Sequence, residues 1–550
     1  MENSHSGQRS PALNLPQDGI AGLFQNWRAD LSAGLLVSLI ALPLCLGIAM
    51  ASGFPAFGGV ITAIVGGLIV GPLCGSSLTI KGPAAGLIAI AIASVEALGQ
   101  GNLAAGYRCT LAVIVVASVI QMLFALLKLG RFADFFPASV VHGMLAAIGV
   151  IIFSKQVHPL LGVKPIAREP IPLLLEIPHS LVVMNPEVAL VGFVSVIIVL
   201  FATSIFGKFA RYLPGPLAAV LVGIVFCEYF EFRRPHIYRW YSLDYSVDER
   251  YLVTLPSSFF EGITFPDFSG IWSLQSLQFV VLFALIGSLE TLLTCKAVDA
   301  IDPWSRKSNM NRDLLAVGCG NTICGLVGGL PMIAEVVRSS ANITYGARTR
   351  WANFFHSASL LLFVLLLAPI IQLIPNAALA GVLCVTGFRL ASPARFRQVR
   401  KIGLDQLFVF LVTIVLALFT DLLIGVLVGM LAEYFVCLVL GVPLISFFAR
   451  FRSGQFRDDG SFYLRMPATC FFGNIIGFKS EVARARGHSI ELDFTDAAYV
   501  DHTFMHELRS LQREDKIEIK ALDQLVPFTR HKESSRRDPE VKSSTFSVFC

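Results

Sequence analysis

Ile80-Lys81-Gly82-Pro83-Ala84 and Gly328-Gly329-Leu330-Pro331-Met332 are two Gly-Pro breaks, and each interrupts a long apolar tract and precedes a short apolar segment. The two prolines stand 248 positions apart (331 − 83 = 248), at similar depth in the two halves of the chain, which indicates an internal duplication. Irregular backbone is tolerated inside a bilayer only where it is buried in protein or lines a polar cavity. Two broken helices at corresponding positions therefore predict a binding site near the membrane midplane.

The composition is typical of an integral membrane protein. Of 550 residues, 55% are hydrophobic and only 15% are charged, and the mean hydropathy is +0.69. Apolar stretches long enough to cross the hydrocarbon, which takes about 17 to 25 residues, recur from Leu31 to about Leu440. The net charge of +5 comes from basic residues in loops beside these stretches, so it indicates topology and not a nucleic-acid partner. Eleven cysteines stand singly, without the spacing of a metal site, and no cofactor or metal is predicted.

Fourteen membrane spans are predicted. They cover 31–52, 57–73, 83–99, 109–129, 137–154, 188–207, 214–230, 278–300, 314–329, 332–345, 353–374, 376–391, 405–420 and 422–440. Moving Asp30, before the first span, by the same offset gives Gln278, where the eighth span begins (30 + 248 = 278). The chain therefore divides into seven plus seven spans, and an odd number inverts the second copy. The predicted fold is an all-α polytopic membrane protein with a 7+7 inverted repeat.

The domain boundaries follow from these spans and from a change of composition after Phe448. We predict a cytoplasmic N-terminal segment at 1–29, a transmembrane domain at 30–448, a small α/β domain at 449–528 and a disordered tail at 529–550. The two repeats occupy about 30–230 and 278–445. If the N-terminus lies in the cytoplasm, the loops that are also cytoplasmic contain most of the clustered basic residues. Among these are Lys128, Arg131, Lys208, Arg211, Arg348, Arg350, Arg395 and Arg397. The pattern predicts cytoplasmic termini in a plasma (inner) membrane.

The α/β domain contains two strand patterns around one amphipathic helix. Residues 489–494 and 516–521 alternate like strands, and 503–513 have a helical period. His502 and His506 stand at i, i+4 spacing, which could hold a metal but lacks a third placed ligand. The sequence favours a solvated helix face for this pair.

The helix ends at the two breaks predict an anion site. Two half-helices that meet at the midplane aim their backbone N–H ends, each worth about half a positive charge, at one small volume. Small residues at the first break would let a ligand approach the backbone closely. These residues are Gly82, Pro83, Ala84 and Ala85.

Three ionisable residues stand near the breaks. Arg338 follows the second break by a turn or two, so its guanidinium either adds a full positive charge to the anion site or snorkels to the surface. Glu290 stands in the middle of the eighth span, where an ionised carboxylate costs at least ~2.5 kcal/mol. It is a candidate for binding a proton or a cation, for offsetting the positive charge of the site, or for pairing with a buried base. Glu335 is either a proton acceptor or a salt-bridge partner of Arg338.

Two further residues lie close to these positions. Lys81 is more simply interfacial than a ligand. Pro43 is expected to kink the first span and free a carbonyl for the site. The offset of 248 positions between the repeats relates Pro43 to Thr291 (43 + 248 = 291), which is next to Glu290. The first and eighth spans are therefore expected to approach the cavity at the same level.

In these stretches the chain resembles the SulP family of anion transporters, which is related to the SLC26 carriers. The matching segments are ALPLCLGIAMASG (41–53), GSSLTIKGPA (75–84), SLETLLT (288–294), NRDLLAVGCGN (311–321) and GGLPMIAEVVR (328–338). The resemblance covers roughly 30 to 445, and the order of the five segments is more specific than any one of them. The region 449–528, with LDFTDAAYVD (492–501) as a strand leading into a helix, resembles a shortened STAS domain.

The resemblance implies an architecture and a mechanism. Spans 1 to 4 and 8 to 11 would form a core domain and spans 5 to 7 and 12 to 14 a gate domain, with an anion bound between spans 3 and 10. The core would move against the gate in an elevator-like cycle, and the protein would be a homodimer in membrane lipid. Family site positions fall on Pro83, Ala84, Glu290 and the stretch 332–338, which adds Met332, Ile333 and Ala334 as substrate-binding candidates.

The expected function is secondary active transport of a small inorganic anion, with bicarbonate or sulfate as leading substrates, and not an enzymatic activity. Leu44 replaces the glutamine common after the first-span proline, and the tenth-span break carries Met332, Ile333, Glu335 and Val336 instead of small or hydroxyl residues. These departures argue against a sodium site and favour coupling to protons or a counter-anion. The alternatives are transport of organic anions such as C4-dicarboxylates or of nucleobases, and a channel or sensor role.

Overall fold

The structure is a computed structural model that describes residues 15–17, 19–167, 169–207, 213–240, 243–256, 260–420, 422–440, 453–485, 487–512 and 517–539. The predicted cytoplasmic residues Lys208 and Arg211 and the tail from residue 540 lie outside these ranges.

Helices occupy each of the fourteen predicted spans, and the fold class is confirmed. Among the described residues the helices are α1 (Gly19–Ala51), α2 (Ala56–Val65), α3 (Gly71–Leu73), α4 (Ile88–Gly99), α5 (Leu103–Leu126), α6 (Ala138–Leu160), α7 (Pro170–Val182), α8 (Pro186–Phe206), α9 (Gly215–Tyr229), α10 (Leu274–Ile301), α11 (Met310–Val327), α12 (Val336–Thr344), α13 (Trp351–Ile371), α14 (Asn376–Leu390), α15 (Pro393–Ile402), α16 (Leu404–Phe419), α17 (Leu422–Val439), α18 (Ile475–Arg484) and α19 (His502–Gln512). Seven of the described segments are individually long and apolar enough to cross a bilayer, and the bent pair of α7 with α8 makes an eighth.

The boundaries differ from the predictions in several places. The first helix begins at Gly19, so the predicted N-terminal segment 1–29 is helical from that residue. The connection between spans 5 and 6 contains α7, and the one between spans 7 and 8 contains a hairpin of β2 (His236–Trp240) and β3 (Leu243–Val247). The second span is α2 and α3 joined by a π-helical turn at Gly66–Val70. Such a turn leaves carbonyl groups free for partners outside the helix.

The first Gly-Pro break contains one strand of an antiparallel pair, and the second break leads into the other strand. In β1 (Ile80–Pro83) and β4 (Met332–Glu335), Gly82 stands opposite Ile333 and Pro83 opposite Met332. Just beyond the ladder, the Ala84 N–H donates to the carbonyl of Pro331 at 3.2 Å. Extended backbone cannot satisfy its own polar groups in lipid, so each break supplies the partners that the other needs. The prediction that the two interrupted segments converge is confirmed.

The chain divides into two compact units. One contains residues 1–130 and 190–382, and the other contains 131–189 and 383–550. The first unit holds spans 1 to 4 and 8 to 11, which the resemblance assigns to the core, but it also holds most of spans 6 and 7. Span 7 belongs there because α9 packs against α1 and because Gly223 faces Pro375 and Ala378.

The C-terminal region is an α/β domain, compatible with a STAS-like fold. Its strands are β5 (Gln455–Phe456), β6 (Phe462–Arg465), β7 (Thr469–Cys470), β8 (Ile490–Asp493), β9 (Tyr499–Val500), β10 (Ile517–Lys520), β11 (Val526–Pro527) and β12 (Arg536–Arg537). One sheet has the order β10-β8-β6-β5, with β8 parallel to both neighbours, and a second has the order β11-β12-β9-β7. Phe478 of α18 and Phe504 of α19 are fully buried and pack together.

The folded region extends beyond residue 528, where the disordered tail was predicted to begin. Arg537 pairs with Tyr499 in the second sheet, and Ser535 Oγ donates to Asp405 Oδ2 at 3.1 Å. The prediction of disorder is therefore wrong for 529–539, because this polar segment finds a strand edge and a buried carboxylate as partners.

The predicted solvated histidine pair contacts this same segment. His502 is buried, and its Nδ1 lies 2.7 Å from the carbonyl of Glu533, so the prediction of a solvated face is wrong for this residue. His506 lies 3.3 Å from the Glu533 carboxylate, and this hydrogen bond lowers the pKa of Glu533 to about 2. The two histidines therefore hold the segment after residue 528 against α19.

Candidate functional site

The two half-helices start directly after the paired strands. A 3-10 turn at Ala85–Leu87 follows β1 and leads into α4, and α12 begins immediately after β4. Neither α4 nor α12 has a capping hydrogen bond from the side chain of its N-cap residue. First-turn N–H groups and the partial positive charge of both helix ends therefore collect around the paired breaks.

The first break is held by a buried ion pair with the second repeat. Lys81 Nζ lies 2.6 Å from Asp313 Oδ2 and 2.8 Å from Thr79 Oγ1, and the Lys81 and Asp313 side chains are both fully buried. The other carboxylate oxygen of Asp313 accepts the N–H groups of Gly75 and Ser76, each at 3.1 Å. The prediction that Lys81 is interfacial is wrong, because its partner stands 232 positions away and leaves no local signal.

Side chains of the second repeat also complete the backbone bonds around β1. Ser339 Oγ accepts the Ile80 N–H at 2.9 Å, and Asn342 donates to the carbonyl of Leu78 at 3.0 Å. Asn353 accepts the Lys81 N–H and donates to the carbonyl that the π-helical turn frees at Gly66, at 3.1 Å.

The second break is held mainly by the first repeat. Thr62 Oγ1 accepts the Leu330 N–H at 2.7 Å, and the Tyr107 hydroxyl donates to the carbonyl of Gly328 at 2.8 Å. Asn321 binds both the N–H and the carbonyl of Met332, at 2.6 and 3.2 Å. The backbone N–H and carbonyl of Met332 are thus already paired within the protein, so only its side chain is left to contact a substrate.

Arg338 is the only one of the predicted site residues that is basic, and it points inward. Its side chain is 1% exposed, so the snorkelling alternative is wrong. The guanidinium lies against Gly82, where an added methyl group would overlap Nη1, and Cys45 and His356 are its neighbours on α1 and α13. None of its three nitrogens makes a hydrogen bond to a residue that the structure describes. The predicted alternative of a salt bridge with Glu335 is therefore not formed.

Two buried carboxylates converge on the turn that starts the first half-helix. Glu335 Oε1 accepts the Ala85 N–H at 3.4 Å. Glu290, on α10, lies against Gly86, and neither of its carboxylate oxygens has a hydrogen-bond partner in the described part of the chain. Both residues are less than 10% exposed. The site thus contains one unpaired cation, one unpaired carboxylate and a second carboxylate at a helix start.

The remaining predicted residues surround this group. Ile333 and Ala334 lie in the ladder opposite Gly82 and Lys81, and Pro43 is buried inside α1, two residues before Cys45. Sequence analysis missed a set of polar residues in or beside the apolar spans. Burying a polar side chain in a bilayer costs free energy, and this cost is the signal that could have identified them. They are Thr62, Tyr107, Asp313, Asn321, Asn353 and His356.

Comparison with known proteins places the chain in a family. The sequence model of the sulfate permease family matches residues 27–413. The chain belongs to this family. YvdB of Bacillus subtilis, named as a candidate sulfate transporter, is 27% identical over 414 residues, which are 74% of this chain and 73% of that protein. The bicarbonate transporter BicA of a Picosynechococcus species is 27% identical over 426 residues, 77% of this chain and 71% of that protein.

Solved structures show the same fold for this sulfate permease family member. The transmembrane domain of a cyanobacterial bicarbonate transporter, BicA, aligns with a TM-score of 0.61 at 24% identity and covers 74% of this chain and 98% of that one. The structure of SLC26A9 aligns with a TM-score of 0.67 at 15% identity, over 90% of this chain and 84% of that one. The family match and the transporters it is similar to identify the chain as a multi-pass membrane protein of an anion-transporter family and not as an enzyme.

The buried ion pair at the first break gives a stability prediction. Lys81→Met leaves the Asp313 charge buried without its partner, which costs about 3–5 kcal/mol, and we expect a large fall in the thermal unfolding temperature of the purified protein. The double variant Lys81→Met/Asp313→Asn should regain much of the lost unfolding temperature, because the asparagine oxygen still accepts the Gly75 and Ser76 N–H groups. The control is Arg239→Met in the exposed pair with Asp244, where solvent screening leaves the ion pair little effect on stability. Equal unfolding temperatures for Lys81→Met and Arg239→Met would contradict the assignment.

Two glycines allow the ionisable side chains to approach the turn, which gives a second prediction. Gly82→Ala should displace the Arg338 guanidinium, and because one charge-assisted hydrogen bond is worth about 1.5–3 kcal/mol, KM for the anion should rise about tenfold or more. Gly86→Ala should displace Glu290 and alter the pH dependence of uptake. Gly287→Ala is the matched control, since its methyl group would meet only Leu87 Cδ1 at 3.6 Å. An unchanged KM in Gly82→Ala would show that Arg338 does not face the substrate.

Proposed function

We propose that this protein is a secondary active transporter of a small inorganic anion, bicarbonate or sulfate, that binds between the two half-helices and moves together with protons. The observation that carries the proposal is Arg338, a buried guanidinium beside the paired breaks that has no hydrogen-bond partner among the described residues.

The anion is inferred from the electrostatics of the buried site. An unpaired buried charge costs several kcal/mol, so such a group is retained where a partner of opposite charge binds. A guanidinium presents N–H donors in a planar fork that fits the oxygens of a carboxylate-like or tetrahedral oxyanion. Helix starts at α4 and α12 add partial positive charge. The names of YvdB and BicA support sulfate and bicarbonate as the first substrates to test.

Proton coupling is inferred from the two carboxylates. The Glu335 carboxylate accepts the Ala85 N–H, and the Glu290 carboxylate lies against Gly86, the next residue of that turn. When ionised, both repel an incoming anion and one competes with it for the helix start. A proton on either carboxylate removes a negative charge from the site and, on Glu335, weakens its hold on the N–H group. Anion binding and proton binding therefore favour each other.

The finer features follow from the family resemblance and the loop charges. We propose an elevator-like movement of a core carrying both half-helices, a homodimeric assembly, and a plasma (inner) membrane location with both termini in the cytoplasm. Basic residues in the connections predicted to be cytoplasmic support this orientation.

Uptake by purified protein in liposomes tests the proposal. Labelled bicarbonate, sulfate and succinate are compared under an imposed pH gradient, an imposed sodium gradient, and no gradient. We expect uptake of an inorganic anion that rises with an inward proton gradient. Preference for succinate would indicate the organic-anion alternative, and a response to sodium alone would contradict proton coupling.

Arg338→Ala should abolish saturable uptake, because the site then keeps two carboxylates and no cation. Arg338→Lys should restore it only in part, since an ammonium lacks the planar fork. The control is Arg348→Ala, an exposed arginine ten positions further along the chain, for which near-normal uptake is expected. Normal KM and rate in Arg338→Ala would remove the site assignment.

Glu290→Gln should uncouple transport from the pH gradient while anion binding is kept, because a glutamine stays neutral at every pH. The measurement is the ratio of initial uptake rates with and without an inward proton gradient, which should fall to about one in this variant. Glu335→Gln reports whether the second carboxylate shares the role. A pH response identical to that of the wild type in both variants would contradict the proposed coupling.

A further inference from the structure

A second buried polar cluster lies in the other unit, at the end of α17 and the start of α19. Glu433 and Cys437 stand at i, i+4 positions on one face of α17, and Asp501 immediately precedes α19. One ligand atom from each residue, a carboxylate oxygen, the cysteine sulfur and a second carboxylate oxygen, lies within 4.8 Å of the other two. All three side chains are fully buried.

The charged side chains around Glu433 are acidic. Within the described part of the chain, the charged side chains that face Glu433 are Asp501 and Asp405. Gln406 donates to Asp405 Oδ2 and to Glu433 Oε1, at 3.0 and 3.2 Å, so these two oxygens are satisfied. The oxygens of Asp501 accept the N–H groups of Phe472 and Phe504, each at 2.6 Å.

One buried atom at the centre of the cluster, Glu433 Oε2, has no hydrogen-bond partner among the described residues. Native proteins pair nearly all buried polar atoms. The hydroxyl of Tyr499, whose residue is 2% exposed, lies beside Cys437. A buried carboxylate oxygen without a donor therefore points to a ligand of positive charge.

We propose that Glu433, Cys437 and Asp501 bind a divalent transition-metal cation of the zinc class. A sulfur ligand excludes Mg²⁺ and Ca²⁺, which take oxygen ligands, whereas Zn²⁺ accepts sulfur and carboxylate oxygen together. Tetrahedral zinc with ligand distances of about 2.0–2.3 Å holds its ligand atoms about 3.3–3.8 Å apart, and the three atoms here lie within 4.8 Å of one another, so metal binding would draw the side chains together. Glu433 Oε2 is the free ligand atom, and the Tyr499 hydroxyl is placed to bind a coordinated water or thiolate.

The metal would fasten the C-terminal domain to the last span within this unit. Glu433 and Cys437 belong to α17, whereas Asp501 connects β9 to α19 in the C-terminal domain. This role is independent of the anion site, whose residues lie in the first unit. No local motif indicates this site, because two ligands are separated from the third by more than sixty positions, well outside the spacing of local metal motifs.

The experiment uses the purified full-length protein in detergent, treated with a chelator and then titrated with Zn²⁺ or Co²⁺. We expect one bound metal per chain by elemental analysis, a higher unfolding temperature with Zn²⁺, and a sulfur-to-cobalt charge-transfer band with Co²⁺. Cys437→Ser should remove the band, and Glu433→Gln should weaken Zn²⁺ binding at least tenfold. The control is Cys384→Ser, a buried cysteine of the same unit with no charged neighbour, which should keep the band.

A Co²⁺ spectrum without a thiolate band in the wild type would overturn the proposal. Zn²⁺ binding of equal strength in the wild type and in Glu433→Gln would also overturn it, since the metal would then be bound elsewhere. Glu433→Gln keeps the hydrogen bond from Gln406 available and removes only the charge. The comparison therefore remains valid if Cys437→Ser fails to fold.

Discussion

The rest of the transmembrane structure depends on the pairing of two interrupted helices with each other. An unpaired backbone polar group costs several kcal/mol in hydrocarbon, so neither β1 nor β4 could exist there alone. Their antiparallel ladder, with Gly82 opposite Ile333, satisfies both at once. The same ladder fixes where α4 and α12 begin and so brings two helix N-termini together. The fold and the site thus have one cause.

Side chains of opposite repeats make this arrangement rigid. Asp313 of the second repeat holds the first break through Lys81, and Thr62 of the first repeat holds the second break through Leu330. Because these contacts supply the local stability, the ionisable residues of the site are free from structural roles. Arg338 and Glu290 can then remain without protein partners, a cost that proteins accept at functional sites.

The sequence predicts those features that have a local signal. The positions of Gly and Pro inside apolar tracts predicted both breaks, and the lengths of the apolar stretches predicted the spans. Long-range pairing has no such signal, which is why Lys81 was assigned to the interface although it pairs with Asp313, 232 positions away. The segment 529–539 has the composition of a disordered tail, yet it is ordered by Asp405 and the edge of β9, which only the tertiary fold provides. The inward direction of Arg338 was one of two open alternatives, because hydropathy cannot tell a snorkelling arginine from a buried one.

Charge balance links the proposed substrate to the proposed coupling. With Glu290 and Glu335 both ionised, the site around Arg338 carries one net negative charge and repels any anion. One proton brings the site to neutrality, and a second gives it one positive charge, which suits a monoanion such as bicarbonate. Sulfate would still leave one negative charge on the doubly protonated site, so its binding relies more on the helix starts of α4 and α12. The number of protons that move with each anion should therefore depend on the charge of the substrate, because burial in low dielectric penalises every uncompensated charge.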